Sequence, residues 1–455
     1  MNGILKCRKV LRNLQRSFSN RNILSLRKRG MFHEIFPDNS AATVVDLLNR
    51  STRTVYAGFD PTADSLHVGN LLVLINLLHW QRGGHRCIAL IGGATAKIGD
   101  PSGKSKERDV LSTAFVDSNI HGIHRNIQTV FSNHEKYLWN DKDPLAPLII
   151  LNNEDWYSKI NSVELIGGAG RHLRMGTLLS RTSVQTRLNS PVGMSFTEFS
   201  YQLFQAYDWL HLFKEHKCMF QIGGNDQMGN IMSGQELISK ICKEQVYGLT
   251  VPLVTTEMGD KFGKTSGNAV WLDAEKTSSF LFYQFWMRQP DSEVQKFLKL
   301  FTFDTVGNID DTMRQHRENP EKRIPQKRLA EQVTLLVHGE EGLKKAQEAA
   351  TALYEGSVAA LGNMNTEDIA QLFSGASVVG VLPEAGMDVI ELAMKVGCFS
   401  RKEDAVRIIS AGGFYINQQK AINPSEVVTD VHRLQNNVTL LRVGKKNYYI
   451  VKWLS

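Results

Sequence analysis

Only five cysteines occur among the 455 residues, Cys7, Cys87, Cys218, Cys242 and Cys398, and no two stand at C-x-x-C spacing. That scarcity excludes a disulfide framework and a zinc site, and it fits a reducing compartment. Long apolar runs are also missing: Leu71–Leu78 is interrupted by Asn76, well short of the roughly 20 residues a membrane helix needs. No membrane partner is expected. Acidic residues are absent before Glu34, where six arginines and three lysines accumulate and Ile4, Cys7, Leu11, Leu14 and Phe18 share one helical face. An arginine-rich, acid-free, amphipathic start has the composition of a mitochondrial transit peptide, set here at residues 1–30, with a basic nucleic-acid-binding arm as the alternative. Subtracting these nine charges from the formal +7 leaves −2 for residues 31–455. The net positive charge is therefore mostly an addressing feature and does not argue for RNA binding. Length and an ordinary 42% hydrophobic content predict two or three globular domains.

Two short motifs carry chemistry. His67-Val68-Gly69-Asn70 follows an apolar run, Thr54 to Phe59, and a turn-rich stretch, Asp60 to Ser65, and it opens a helix marked by Leu71, Leu72, Leu74, Ile75 and Leu78. His67 and Asn70 then share one face of the first helical turn, beside unpaired amides and a dipole end that favours anions, so the place suits a phosphate. Gly69 lacks a Cβ, which would let a ribose or base come close to the backbone. The bland reading is a helix cap with an incidental histidine. The second motif, Lys261-Phe262-Gly263-Lys264-Thr265, lies in a polar, glycine-containing loop, Glu257 to Asn268. Its lysines would bring compact charge to a leaving phosphate; the alternative is a solvated loop. Gly99-Asp100-Pro101-Ser102-Gly103-Lys104-Ser105 invites a P-loop reading, but three residues separate its first glycine from Gly-Lys where that pattern needs four.

Taken together, Tyr56 to Gly69, Gly99 to Lys104, Tyr201 to Asp208, Gln221 to Gln227 and the lysine loop resemble the tyrosyl-tRNA synthetases of the bacterial and organellar type. The resemblance covers nearly everything from residue 31 to the C-terminus. It departs from the family in having Asn70 where the nucleotide signature ends in a second histidine, and Lys-Phe-Gly-Lys-Thr where the wider class has Lys-Met-Ser-Lys-Ser. The resemblance implies synthesis of tyrosyl-adenylate and pyrophosphate from tyrosine and ATP, with Mg²⁺ and no tightly bound cofactor, then transfer of tyrosine to its tRNA; the transit-type start places this in the mitochondrial matrix. It assigns Tyr56 and Asp208 to the phenol, Tyr201, Gln205 and Asp100 to the ammonium, and Gln227 to the carboxylate end. Asp226 and Gly224 fall to the adenylate ribose, and Lys104 and Arg108 lie near the pyrophosphate. Gly58, Asp60, Thr62, His67, Gly69, Asn70, Lys261, Lys264 and Thr265 face ATP. A tryptophan enzyme of the same architecture is the nearest rival, and a non-catalytic RNA-binding protein on this scaffold is the other.

Apolar runs at Thr54 to Phe59, Cys87 to Ile91, Leu148 to Leu151, Cys218 to Ile222 and Leu249 to Val254 alternate with helical pattern. They predict a Rossmann-like, doubly wound parallel α/β sheet over residues 31–270, with ligands at the carboxyl ends of the strands. An insertion, 110–195, separates its halves, and by resemblance it carries a homodimer contact. An α-helical domain is expected over 271–360, its basic group Lys322, Arg323, Lys327 and Arg328 either solvated or facing phosphate. A linker follows over 361–386, then a small α+β module over 387–455 with a capping box at Ser400 to Glu403. That module holds ten Lys+Arg against six Asp+Glu. It resembles a small RNA-binding domain, and Arg401, Lys402, Arg407, Lys445 and Lys446 are its candidate tRNA phosphate contacts.

Overall fold

The computed structural model describes residues 21–104, 106–141, 143–254, 262–265, 268–354, 361–362, 364, 366, 369, 376–444 and 447–454. They group into two compact units. The first holds the described residues up to Lys276 with Trp286–Gly339; the second holds Thr277–Phe285 with the described residues from Glu340 onward. No helix among the described residues is long and apolar enough to cross a membrane.

In the first unit a six-stranded sheet is built from β1 (Ile35–Phe36), β2 (Thr54–Phe59), β3 (Arg86–Ile91), β4 (Ile149–Asn152), β5 (Cys218–Gly224) and β6 (Tyr247–Val251). Their order is β1-β6-β5-β2-β3-β4, parallel except for β1, which runs antiparallel to β6. Val55, Tyr56 and Ala57 on β2 are all buried, because a central parallel strand is covered on both faces and needs continuous apolar character. The chain winds outward through β3 and β4, then returns to the other side of β2 with β5. The reversal leaves a crevice at the carboxyl ends of β2 and β5, where ligands of such sheets sit. Four helices frame it: α1 (Val68–Arg82), α2 (Thr113–Asn133), α3 (Phe196–His216) and α4 (Met228–Cys242). Trp209 of α3 and Ile231, Leu237 and Ile238 of α4 join one apolar cluster.

Three expected boundaries are corrected. Residues 21–30 are part of the fold: Ile23 and Leu24 are buried, and the Arg21 carbonyl accepts from His85 Nε2 at 2.9 Å. Buried Arg29 donates to the carbonyls of Lys299 at 2.8 Å and Leu298 at 3.3 Å, and to those of Thr302 and Asp304. Residues 1–20 lie outside the described residues. Next, the helices within Trp286–Gly339 group with the sheet while Thr277–Phe285 groups with the later residues, so no single helical domain spans 271–360. Helix α5 (Asp291–Phe301) packs on α1 and buries Val294, Phe297, Leu298, Leu300 and Phe301. The long helix Ile324–Tyr354 breaks at Gly339, whose φ is 68°.

The third correction concerns the linker. β9 (Ser377–Val381) pairs in parallel with β13 (Asn447–Trp453) in a five-stranded sheet completed by β10 (Phe414–Ile416), β11 (Gln419–Ala421) and β12 (Val438–Val443). Asn436 Nδ2 also donates to the Leu361 and Met364 carbonyls at 2.8 and 2.6 Å. The small module thus begins well before residue 387; an edge strand half in solvent has too little apolar character to stand out. Its helices are α6 (Val389–Lys395) and α7 (Lys402–Ser410). The capping box forms at Asp388 and Glu391 of α6, while Arg401 caps α7 with no side-chain bond.

Candidate active site

The crevice is a cleft of about 690 Å³, and its walls include Tyr56, Gly58, Asp60, Thr62, His67, Gly69, Asn70, Asp100, Lys104, Arg108, Tyr201, Gln205, Asp208, Gly224, Asp226 and Gln227. The described residues assigned to tyrosine or ATP are therefore gathered in one place, apart from Lys264 and Thr265. Lys261 lies outside the described residues; Lys264 and Thr265 form a two-residue strand, β7, paired with β8 (Asn268–Ala269).

At the closed end Asp208 is 3% exposed. Its oxygens accept from Asn153 Nδ2 at 3.1 Å and Trp156 Nε1 at 3.0 Å. Burial pushes its pKa up to about 7 against the opposing pull of those donors and of Tyr157. The Tyr56 hydroxyl, buried in the same wall, has no hydrogen-bond partner. Burial, and secondarily the charge of Asp208, hold the pKa of that phenol well above the ordinary value, so it remains a donor. A buried acceptor beside an unsatisfied buried hydroxyl is the arrangement a ligand hydroxyl completes.

Asn153 also donates to Thr95 Oγ1 at 3.0 Å, Thr95 donates to Asp60 Oδ1 at 2.7 Å, and the Tyr201 hydroxyl donates to Asp60 Oδ2 at 2.8 Å. Asp60, expected to face ATP, thus has both oxygens engaged on the amino-acid side of the cleft. Its pKa rises to about 6, chiefly through burial. Gly92 is required here, since a Cβ would stand 1.9 Å from Asp60 Oδ1. Asp100 and Gln227 act as a pair: Gln227 Nε2 donates to Asp100 Oδ2 at 2.7 Å, while the Ser102 amide holds the other oxygen at 2.9 Å. Arg108 Nε donates to the Asp100 carbonyl at 3.0 Å.

At the open end His67 is the N-cap of α1. Its Nδ1 accepts from the Gly69 amide at 3.0 Å, and its own amide donates to Asn70 Oδ1 at 3.1 Å. The cap reading and the phosphate reading are therefore compatible: acceptance at Nδ1 places the ring proton of the neutral imidazole on Nε2. Gly69 serves the cap first, because a Cβ there would meet the His67 ring at 2.7 Å.

Sequence reasoning missed Thr95, Asn153 and Trp156. Asn153 follows the last residue of β4 and Thr95 lies four residues past β3, so the rule that placed ligands at strand ends, applied to every strand, reaches both. Of the basic group at 322–328, Arg323 bonds the Met287 and Gln289 carbonyls and Arg328 pairs with Asp304. In the small module Arg401, Lys402 and Arg407 are exposed, Arg407 pairing with Asp404 at 2.9 Å. Lys445 and Lys446 lie outside the described residues. Among those described, no group of three or more His, Cys, Asp or Glu is arranged to hold a metal ion.

Comparison with known proteins bears on this geometry. Residues 48–355 match the family described as tRNA synthetases class I (W and Y), and residues 368–451 match the tyrosine–tRNA ligase SYY-like C-terminal domain. The mitochondrial tyrosine–tRNA ligase of Drosophila melanogaster is 57% identical over 98% of this chain and 97% of its own. That of Homo sapiens is 46% identical over 94% and 91%. A C-terminally truncated mitochondrial tyrosyl-tRNA synthetase of Aspergillus nidulans superposes with a TM-score of 0.68 at 30% identity, covering 75% of this chain and 99% of that structure. The chain belongs to the class I tRNA synthetases of the tryptophan and tyrosine type, and among them to the tyrosine–tRNA ligase family.

Proposed function

We propose that this chain activates L-tyrosine with ATP and transfers it to tRNA(Tyr) in the mitochondrial matrix, working as a homodimer. The observation that carries the choice of tyrosine is the closed end of the cleft, where the Asp208 carboxylate and the unpartnered Tyr56 hydroxyl await a phenolic group. The substrate phenol donates to Asp208 and accepts from Tyr56. Phenylalanine leaves both unpaired, at a cost of a few kcal/mol, and an indole has its N–H in a different place. Tyr201, Asp60, Asp100 and Gln205 form the ammonium seat, with Gln227 and Gly224–Asp226 toward the carboxylate and ribose.

The tyrosine carboxylate is already a nucleophile at neutral pH. It attacks the α-phosphorus, pyrophosphate leaves, and a terminal ribose hydroxyl of the tRNA then attacks the acyl carbon and releases AMP. The protein therefore has to align groups and stabilise charge on the departing phosphates. His67 Nε2, the Asn70 amide, Lys104 and Arg108 do so from the cleft, and the lysine loop adds Lys261, Lys264 and Thr265. Magnesium brought with ATP as substrate would neutralise part of that charge.

Dimer formation is supported by large exposed apolar side chains along the insertion and its edge: Val110, Val163, Val192 and Phe196 are 93, 77, 85 and 75% exposed. Side chains this apolar and this exposed fit a surface that a second copy covers. Import is supported by the basic, acid-free start and by the names of the mitochondrial relatives. Charging of mitochondrial tRNA with labelled tyrosine tests the whole reading. Asp208→Ala should weaken tyrosine binding and narrow its advantage over phenylalanine while ATP affinity holds; full selectivity in that variant overturns the assignment.

A further inference from the structure

The aromatic residue inside the lysine loop is buried. Phe262 is 5% exposed, and its ring sits in a socket made by Phe297 at 4.6 Å, Trp286 at 5.7 Å and Phe301 at 5.8 Å between centroids. Its amide donates to the Val254 carbonyl at 3.0 Å. Gly263 follows with φ +86°, a conformation that glycine adopts without strain. A Cβ there would lie 3.2 Å from Val68 Cβ, so the backbone runs directly against the start of α1. The Gly263 carbonyl accepts from the Val270 amide at 2.7 Å, and the Val270 carbonyl accepts from the Val68 amide at 2.9 Å. The loop base is thus fastened twice, by a ring in the α5 socket and by a backbone ladder to the helix that begins with His67.

We propose that Phe262 is the positioning residue for the lysine pair, its socket setting where Lys261 and Lys264 leave the fold relative to the phosphate seat of α1. Lys261 immediately precedes it and Lys264 follows two residues later. Both α-carbons are therefore within about 7 Å of an immobilised one, given a chain reach of roughly 3.3–3.6 Å per residue. A ring with two torsions, buried against three aromatic partners, is a stiff anchor. Placement is what the reaction demands, since a displacement of about 1 Å in a positioning group costs on the order of 100-fold in rate. The inference rests on the proposed role of the two lysines and deepens it.

The test uses the full-length enzyme, with single-turnover adenylate formation measured beside equilibrium tyrosine binding. Phe262→Ala should slow adenylate formation by about 100-fold and raise the KM for ATP, leaving tyrosine affinity and transfer from preformed adenylate at parental values. Phe262→Met, which refills the socket, should restore most of the rate, and Phe297→Ala should reproduce the defect from the opposite wall. The double variant Phe262→Ala/Phe297→Ala should be no slower than Phe262→Ala alone. If Phe262→Ala does not fold, Phe262→Leu replaces it with the same expected split. Parental rates in the Phe262 variants while Lys261→Ala and Lys264→Ala are slow overturn the socket. Parental rates in the lysine variants overturn the reading of the lysines themselves. Loss of tyrosine affinity in step with rate assigns Phe262 to general stability and ends the proposal.

Discussion

Replacing Arg29 by alanine should destabilise the first unit, although Arg29 lies in a segment whose composition marks it as dispensable. The guanidinium is buried and donates to four carbonyls at the C-terminal end of α5, those of Leu298, Lys299, Thr302 and Asp304. Helix-end carbonyls have no partner within the helix; this side chain caps them, joined at Leu298 by Thr302 Oγ1 at 2.6 Å. Burial lowers its pKa to about 10, against the attraction of Asp304, so it is still charged at neutral pH. Each acceptor left unpaired costs roughly 1–3 kcal/mol. Water admitted to the truncated site recovers part of that, leaving a net loss of about 3–5 kcal/mol, the range for breaking a buried charged contact. For a unit of this size that corresponds to a fall on the order of 5–10 °C in its melting transition. Calorimetry of the full chain measures it. Arg29→Lys should recover little, because a single ammonium does not span four carbonyls. Removal of residues 1–20 should leave the transition in place, whereas removal of residues 1–30 should lower it at least as far as the substitution does. A shift below about 1 °C for Arg29→Ala refutes the reasoning, and with it the claim that the fold begins by residue 21.

Other expectations follow from the cleft and the small module. Asp208 has a folded-state pKa raised from 3.8 to about 7, so the native state binds that proton more tightly than the unfolded chain. The substrate-free enzyme should therefore gain stability as pH falls from about 7 toward 4 and lose it as pH rises, by up to about 4 kcal/mol for a displacement of this size. Melting curves of Asp208→Asn across that window should be flatter; an equally steep dependence would discard the burial argument. Gly92→Ala should drive Asp60 off Tyr201, since the new methyl would overlap the carboxylate, and isothermal titration should find tyrosine binding reduced at least tenfold, about 1.4 kcal/mol. Deleting residues 361–455 should preserve tyrosine-dependent pyrophosphate exchange and impair charging, and equal impairment of both reactions would reassign the small module to a structural role.

The sheet was legible because its inner strands are continuous apolar runs: β2 and β3 were placed within a residue of their observed bounds. Edge elements were not. β1 is two residues long, and β9 places Ser377, Val378 and Gly380 in solvent, so neither offers a run or an alternation to detect. Tyr56 and Asp208 were named through resemblance, since no periodicity links residues on β2 and α3. Asn153 and Trp156, which hold Asp208, sit in an insertion of mixed polarity and look like ordinary loop residues until the fold brings them under α3. Arg29 shows the limit most plainly. An arginine in a basic run reads the same whether solvated or buried, and its partners are about 270 residues away.

The hydrogen-bonded series from Trp156 through Asp208, Asn153, Thr95 and Asp60 to Tyr201 has a consequence for how this pocket can change. The groups that read the far tip of an amino-acid side chain and those that orient its backbone end are members of one network, joined through an asparagine with no exposed surface. Substitutions at opposite ends should therefore be non-additive. Redesign toward a para-substituted aromatic amino acid cannot treat the ring end as an independent module. Variation that relaxes Asp208 also loosens Asp60, so selectivity and turnover are tied together unless Asn153 and Thr95 are repacked in the same step.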